Sequence, residues 1–235
     1  MTINQRKYVA EVIGTFALIF AGTGAIIVNQ ATDGQPVTHP GIALTFGLIV
    51  MSVIYAIGDV SGAHINPAVT IAFAVAGRFP VSQVLPYLLS QCVGGLAASG
   101  LLRLLFPLQT SLGGTLPAGP WWQSFVFEVV LTFLLMYVVL RVSSGSKEQG
   151  IMAGVAIGSV VALEAMFAGP ICGASMNPVR SFAPAVVSGN LQSLWIYLTA
   201  PVIGAVLAIP AFAATTIPLY NEPTASSNQT PAEAK

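Results

Sequence analysis

Charged side chains are scarce in this sequence of 235 residues. Lys and Arg together number 8, Asp and Glu together number 8, and these residues make up 7% of the chain, whereas hydrophobic residues make up 55%. An ordinary soluble domain has about 25% charged residues. The mean hydropathy is +0.81. So little charge excludes a water-soluble globular domain and indicates an integral membrane protein.

Other absences exclude further classes of function. The formal net charge is zero, so we expect no basic surface for a nucleic-acid partner. Cys92 and Cys172 are the two cysteines, and they lack the Cys-x-x-Cys or Cys/His spacing of a disulfide framework or a zinc site. The apolar stretches contain no Ser/His/Asp set and no cluster of metal ligands, so we expect neither an enzyme nor a bound metal or cofactor.

Six apolar stretches are each long enough to cross a bilayer as a helix. They cover about residues 8–28, 41–58, 82–104, 122–142, 151–168 and 193–214. Two further apolar pieces, about 66–77 and 177–187, are too short to span. We therefore predict an all-α membrane protein with six transmembrane helices and two re-entrant half-helices.

The distribution of Lys and Arg predicts the orientation. A cytoplasmic N-terminus leaves Arg103 and Arg180 toward the outside and puts the other basic residues inside, namely Arg6, Lys7, Arg78, Arg141, Lys147 and Lys235. The positive-inside rule favours this arrangement. The first apolar run is long enough to remain as a membrane helix. We expect a plasma-membrane protein with both termini in the cytoplasm and a short disordered tail over 215–235.

The two halves of the chain repeat. Glu11-Val-Ile-Gly-Thr-Phe16 matches Glu128-Val-Val-Leu-Thr-Phe133, and Gly62-Ala-His-Ile-Asn-Pro67 matches Gly173-Ala-Ser-Met-Asn-Pro178. Each half, about 8–105 and 122–214, contains three spans, so the second copy must enter the membrane from the opposite face. Such an inverted repeat places a central site near the bilayer midplane. We interpret the chain as a single channel domain around that site.

Each short segment opens with Asn-Pro, which predicts Asn66 and Asn177 as helix N-caps with Pro67 and Pro178 at the first helical position. Irregular backbone inside a bilayer must be buried or line a watery cavity. We therefore predict that the residues before each Asn present carbonyl oxygens to a pore. These residues are Gly62, Ala63, His64 and Ile65 in one loop and Gly173, Ala174, Ser175 and Met176 in the other.

Two helix N-termini that face each other also create a positive electrostatic potential between them. Each has a partial positive charge of roughly half an elementary unit. Together they raise the potential for any cation at the centre of the pore. A path of this kind passes neutral solutes and rejects cations, including protons carried by water.

The segments SGAHINPAVT (61–70) and GASMNPVRSFAP (173–184) resemble the paired signature loops of the major intrinsic proteins, the aquaporin and glyceroporin family. The resemblance implies six tilted helices, two half-helices, one pore per subunit and a homotetramer. The two motifs are then Asn66-Pro67-Ala68 and Asn177-Pro178-Val179. Val179 replaces the usual Ala, and we expect simple repacking around its additional carbons.

The resemblance also implies an outer selectivity filter formed by Phe46, Ala165, Ala174 and Arg180. An Arg inside a membrane usually marks a solute pathway, although snorkelling of Arg180 to the surface is the alternative. Water-selective members have His where this chain has Ala165, and dedicated glycerol facilitators have Asp where it has Ser181. The motifs are closest to those of the nodulin-like branch and its bacterial relatives.

Several polar residues within the spans need an account. The resemblance makes Glu11 and Glu128 buried braces that accept hydrogen bonds from the loop backbones, and the alternative is a proton relay. Glu164 has no counterpart in the repeat, and the sequence offers no account of it. His64 is interpreted as a hydrogen bonder that holds its loop, with a pH gate as the alternative.

The sequence therefore predicts a passive channel for water and small neutral solutes such as glycerol, urea or arsenite. A strictly water-selective aquaporin is the first alternative. An ion-coupled secondary transporter is the second, but it needs carboxylates at the midplane, where this chain has amides and helix ends. A closed adhesive or scaffold member of the same family is the third.

Overall fold

The computed structural model describes residues 1–35, 37–144 and 150–216. Within these ranges the chain forms eight α-helices and no strand. The helices are α1 (Ile3–Ala31), α2 (Thr38–Ser61), α3 (Pro67–Val75), α4 (Val81–Leu105), α5 (Trp121–Val142), α6 (Ala153–Cys172), α7 (Pro178–Ser188) and α8 (Leu194–Ala214).

Six of these helices are long and apolar enough to cross a membrane, and α3 and α7 are the two short ones. The predicted all-α fold class is confirmed. Helix α1 begins at Ile3, earlier than the predicted start near residue 8, because Thr2 forms a capping box with Gln5. The Gln5 N–H donates to Thr2 Oγ1 at 3.2 Å, and the Thr2 N–H donates to Gln5 Oε1 at 2.8 Å.

Helix α6 also extends beyond its predicted end near residue 168, and it passes through Pro170 before it ends at Cys172. A proline within a helix leaves the carbonyl four residues earlier without its donor. Here that carbonyl belongs to Met166, and His39 Nε2 donates to it at 2.7 Å from helix α2. A neighbouring helix therefore replaces the lost hydrogen bond.

The repeat in the sequence appears as matched helix contacts. Helix α1 packs on α4 in the first half, and α5 packs on α8 in the second. Gly94 and Gly204 occupy equivalent positions in these pairs. A Cβ at Gly94 would lie 2.3 Å from Val12 O, and one at Gly204 would lie 2.1 Å from Val129 O. Glycine is thus required at both crossings, because the two backbones touch.

The two halves meet along α2 and α6, where Gly47 and Gly158 each lie against the other's carbonyl oxygen. The distances from a built Cβ to that oxygen are 2.4 Å and 2.6 Å. Since 158 follows 47 by the same 111 residues that separate Asn177 from Asn66, this contact relates equivalent positions across the inverted repeat.

The molecule has two chemically different ends. We call the end with Arg78 and Arg141 the inner end, where both guanidinium groups lie over the ring of Phe212. We call the end with Trp121 and Trp195 the outer end, where the two rings are 5.5 Å apart. Most of the tail predicted to be disordered, 217–235, lies outside the described residues, as do Lys147 and Lys235.

We predict that Gly94→Ala lowers the thermal midpoint of unfolding in detergent, because the new methyl group forces α4 away from α1. Overpacking of this kind costs about 1 to 3 kcal/mol. Gly100→Ala in the same helix is the matched control, since a Cβ there has nothing within 4 Å. Equal thermal midpoints for the two variants would contradict the close helix contact.

Candidate functional site

Two irregular loops, residues 62–66 and 173–177, connect the long helices to the half-helices. Helix α2 ends at Gly62 with φ of 85°, and α6 ends at Gly173 with φ of 84°. Positive φ then recurs at alternate residues, at Ala63 (48°) and Ile65 (44°) in one loop and at Ala174 (41°) and Met176 (53°) in the other. Non-glycine residues in this conformation are strained, so the surroundings must hold both loops in place.

Two fully buried glutamates provide hydrogen-bond acceptors for these loops. Glu11 accepts the N–H of His64 at 2.9 Å and the N–H of Ile65 at 2.7 Å. Glu128 accepts the N–H of Ser175 at 2.7 Å and that of Met176 at 2.8 Å. The four donors have no helical or sheet partner, so the carboxylates satisfy backbone groups that would otherwise be unpaired in the interior.

Further donors around Glu11 escaped the sequence analysis. Gln91 donates to Glu11 Oε2 at 2.9 Å, and the Ser61 hydroxyl donates to Oε1 at 2.8 Å. Tyr87 donates to Ser61 O at 2.8 Å. A polar Gln in the middle of an apolar helix was the available signal, because such a side chain needs a partner. The repeat places Pro201 at the position equivalent to Gln91, so Glu128 lacks this donor.

Asn66 and Asn177 cap the half-helices and also join the two loops. Asn66 Oδ1 accepts the Ala68 N–H at 2.9 Å, and Asn177 Oδ1 accepts the Val179 N–H at 3.0 Å. Asn66 Nδ2 donates to Met176 O at 2.8 Å, while Asn177 Nδ2 donates to Ile65 O at 2.9 Å. These crossed bonds fix the two helix N-termini against each other, and each amide keeps a second N–H for a solute.

A cavity of about 160 Å³ passes these loops. Asn66 and Asn177 line it, and so do all four predicted filter residues and seven of the eight loop residues predicted to face the pore. The exception is Gly173. That prediction is not supported, because Gly173 lies outside the cavity wall and packs against Thr115, which a Cβ would approach to 2.8 Å. The lining does not include four motif residues that are buried in the described structure, namely Pro67, Ala68, Pro178 and Val179.

The outer end of the cavity is bounded by Phe46 from α2 and Arg180 from α7. The Arg180 Cζ lies 4.9 Å from the centroid of the Phe46 ring. Arg180 is 3% exposed, which excludes snorkelling to the surface. Its Nη1 donates to Gly113 O at 2.7 Å, so the connection between α4 and α5 helps to hold the guanidinium. Ala165 and Ala174 contribute methyl groups to the same cavity.

Comparison with known proteins decides the family. Residues 2–212 match the family described as Major intrinsic protein. The chain belongs to the major intrinsic protein family, a family of membrane channels and not of enzymes. Aquaporin NIP1-1 of Zea mays is 47% identical over 93% of this chain and 77% of its own length. Nodulin-26 of Glycine max is 48% identical over 86% of this chain and 74% of its own length.

A solved structure supports the same fold. The X-ray structure of the aquaglyceroporin from Plasmodium falciparum aligns with a TM-score of 0.77, covering 90% of this chain and 96% of that one, at 24% identity. The identity is low, so this likeness concerns the fold alone. It confirms the aquaporin-like arrangement of six spans and two half-helices expected of a major intrinsic protein.

A chain of hydroxyl groups stands behind the second loop of this major intrinsic protein. The Thr115 hydroxyl donates to Ser181 Oγ at 2.6 Å, and Ser181 Oγ is 2.6 Å from Ser175 Oγ. Ser175 in turn donates to Asn177 O at 2.8 Å. Ser181 is the position at which glycerol facilitators carry Asp, and here a short hydroxyl completes the chain. Thr115 was not found from the sequence, because 66 residues separate it from Ser181.

Val179, the departure from the family motif, is accommodated by a glycine. A Cβ at Gly95 would lie 2.6 Å from Val179 Cγ1, so the side chain of Val179 occupies the space that Gly95 leaves. At the equivalent positions of the repeat, 110 and 111 residues away, the chain has Ala205 and Ala68. The larger residue therefore faces the smaller one, as expected for repacking.

His64 lies at the inner side of the loops and lines the cavity. Its Nδ1 is 3.1 Å from Thr70 Oγ1. The ring also packs on three aromatic rings, with centroids 5.0 Å from Phe73, 4.8 Å from Phe79 and 5.2 Å from Tyr87. These contacts fix the imidazole beside the loop, as the loop-holding interpretation requires.

Glu164 differs from the two bracing glutamates. It is 1% exposed, and neither carboxyl oxygen has a hydrogen-bond partner among the described residues. Burying a polar group without a partner is unfavourable. Glu164 is not among the residues that line the cavity, so within the described residues its carboxyl group is buried without a hydrogen bond.

We predict that Glu164→Met raises the thermal midpoint of unfolding. The substitution removes a buried polar group without a partner, and such a group destabilises the folded state by about 1 to 3 kcal/mol. The same substitution at Glu128 is the matched comparison. It should lower the midpoint, since two loop N–H groups lose their acceptor. Thermal unfolding in detergent measures both effects. A loss of stability in Glu164→Met as large as that in Glu128→Met would contradict the absence of a partner for Glu164.

Proposed function

We propose that this channel passes water and small neutral solutes, glycerol among them, and excludes ions and protons. The observation that carries the proposal is the composition of the outer constriction. Phe46, Ala165, Ala174 and Arg180 combine one aromatic face, two methyl groups and one cluster of N–H donors around one cavity. We infer that these four residues act as the selectivity filter.

Such a surface suits a polyol better than it suits water alone. Glycerol has hydrocarbon on one side, which can contact the Phe46 ring and the alanine methyl groups, and hydroxyls on the other, which can accept hydrogen bonds from Arg180. A small side chain at Ala165 leaves room for this solute. The same features admit urea and uncharged metalloid hydroxides such as arsenite, and they weigh against a strictly water-selective pore.

Charge supports the exclusion of ions. Among the described residues, those that line the cavity include no Asp or Glu, and Arg180 is the charged residue among them. Two helix N-termini meet near the middle through Asn66 and Asn177. A cation therefore meets positive potential along the path and no carboxylate to replace its hydration. An ion-coupled transporter is disfavoured, since Glu11 and Glu128 are engaged with backbone donors.

The solute path also bears on the other alternative, a closed adhesive or scaffold member. The cavity extends from Val142, Ser143 and Ala153, near the inner end, to Phe46 and Arg180. A cavity that reaches from the inner end to the constriction supports a conducting channel over a closed member. We propose that the chain works as one channel domain built from repeats over about 8–105 and 122–214.

Assembly and orientation are further parts of the proposal. We infer a homotetramer in the plasma membrane with both termini in the cytoplasm. The membership of the family implies the tetramer, and exposed apolar side chains on the spanning helices, such as Leu48 and Leu134, suit lipid or neighbouring subunits. Lys7 and Arg78 border one pocket at the inner end, so the positive-inside rule favours a cytoplasmic inner end.

The test is solute uptake into proteoliposomes, followed by light scattering after osmotic jumps. We predict faster entry of water, glycerol and arsenite than in protein-free vesicles, with no added K⁺ conductance. In Ala165→His the imidazole narrows the constriction, and glycerol flux should fall by about tenfold while water flux falls less.

The control is wild-type protein in matched vesicles at the same protein-to-lipid ratio. Water flux without glycerol or arsenite flux would overturn the broad solute range. An equal loss of water and glycerol flux in Ala165→His would remove Ala165 from the filter. K⁺ conductance that scales with the amount of protein would refute ion exclusion.

A further inference from the structure

Two adjacent residues of helix α1, Gly22 and Thr23, pack behind the outer constriction. Neither residue lines the cavity. We propose that Gly22 sets the width of the constriction by holding the Phe46 ring back against α1. This inference rests on the proposed function, because it names a positioning residue for the same filter.

The first observation is the contact between Gly22 and the ring. A Cβ built on Gly22 would lie 2.1 Å from Phe46 Cε1, 2.5 Å from Cδ1 and 2.6 Å from Cζ. Real Cβ contacts are never this short, so the ring occupies the place that any side chain at position 22 would take. The phenyl group is therefore as far from the pore as the α1 backbone allows.

The second observation concerns the opposite side of the constriction. Gly113, whose carbonyl accepts the Arg180 Nη1–H at 2.7 Å, lies directly on Thr23. A Cβ at Gly113 would be 2.8 Å from both Thr23 Cβ and Thr23 O. Adjacent residues of α1 thus support the aromatic group of the constriction and the loop that holds its guanidinium. Helix α1 therefore lies behind both sides of the constriction, across which Arg180 Cζ and the ring centroid are 4.9 Å apart.

The inverted repeat shows that glycine at this position is not a requirement of the fold. Position 139 is equivalent to 22, with the same offset of 117 that relates Glu128 to Glu11, and position 157 is equivalent to 46. Those positions hold Val139 and Ile157, and both line the cavity. In the second half, Ile157 stands at the position of the Phe46 ring, and Val139 stands at the position of Gly22. The glycine accompanies the ring, as a positioning role requires.

A side chain at position 22 would move the Phe46 ring in one direction, toward the cavity. A methyl group at position 22 displaces the ring away from α1, and the cavity is the open space that the ring borders. The ring then approaches Arg180, and the passage narrows. Glycerol is wider than water, so its flux should suffer more.

The experiment compares Gly22→Ala with Gly24→Ala, each made in the native chain and in a Phe46→Ala background. Gly24 is in the same helix, and a Cβ there would make an ordinary contact of 3.4 Å with Leu102. Water and glycerol permeabilities are measured in proteoliposomes. We expect Gly22→Ala to lower glycerol permeability by about tenfold with a smaller loss for water, and Gly24→Ala to change neither.

The Phe46→Ala background separates positioning from a general defect. There the added methyl group meets no ring, so Gly22→Ala should leave both permeabilities unchanged. The same loss in both backgrounds would overturn the inference, and so would unchanged glycerol flux in the native background. If Gly22→Ala alone does not fold, recovery of folded protein in Gly22→Ala/Phe46→Ala supports the inference, and failure of both refutes it.

The outcome for Gly22 is distinct from the outcome for the solute range. Should the wild-type channel pass water and no glycerol, the proposed solute range fails. The positioning role is then decided by water permeability, which Gly22→Ala must lower in the native background and must not lower in the Phe46→Ala background.

Discussion

Where the two central loops face away from the solute path, their backbone must find hydrogen-bond partners among buried side chains. Glu11 and Glu128 meet this constraint by accepting two loop N–H groups each. The remaining structure depends on these contacts, because the loops contain left-handed residues at Ala63, Ile65, Ala174 and Met176 that would not persist unsupported. Because the loop N–H groups donate to these glutamates, the polar groups left for the solute path are backbone carbonyl oxygens and the Asn amides.

The scarcity of charge in the sequence follows from the same arrangement. A path that refuses ions can use carbonyls, Asn amides and helix ends, with charge kept for a few positions. Two acids lie behind the loops, and Arg180 lies at the constriction. The two halves share this backbone scheme, but their side chains differ: Glu11 also binds Gln91 and Ser61, whereas Glu128 has no such pair of donors among the described residues.

The sequence predicts the fold well because the strongest signals are local. Apolar length identified all six spans, and the Asn-Pro steps located both half-helices at Pro67 and Pro178. What it missed depends on contacts between distant residues. The extension of α6 through Pro170 needs His39 from α2, and the support of Arg180 needs Gly113. Gly22 carries no side chain, so its role at Phe46 has no signal in hydropathy or spacing. Family resemblance supplied the filter positions, and their roles stay predictions.

Amide hydrogen exchange in the two loops tests the bracing of the backbone by the glutamates most directly. In nanodisc-embedded protein, the N–H groups of Ser175 and Met176 should exchange slowly although these residues line a water path. Glu128→Ala should speed their exchange and leave the equivalent groups of His64 and Ile65 protected by Glu11. Fast exchange of Ser175 and Met176 in the wild-type protein, or unchanged slow exchange in Glu128→Ala, would contradict the account.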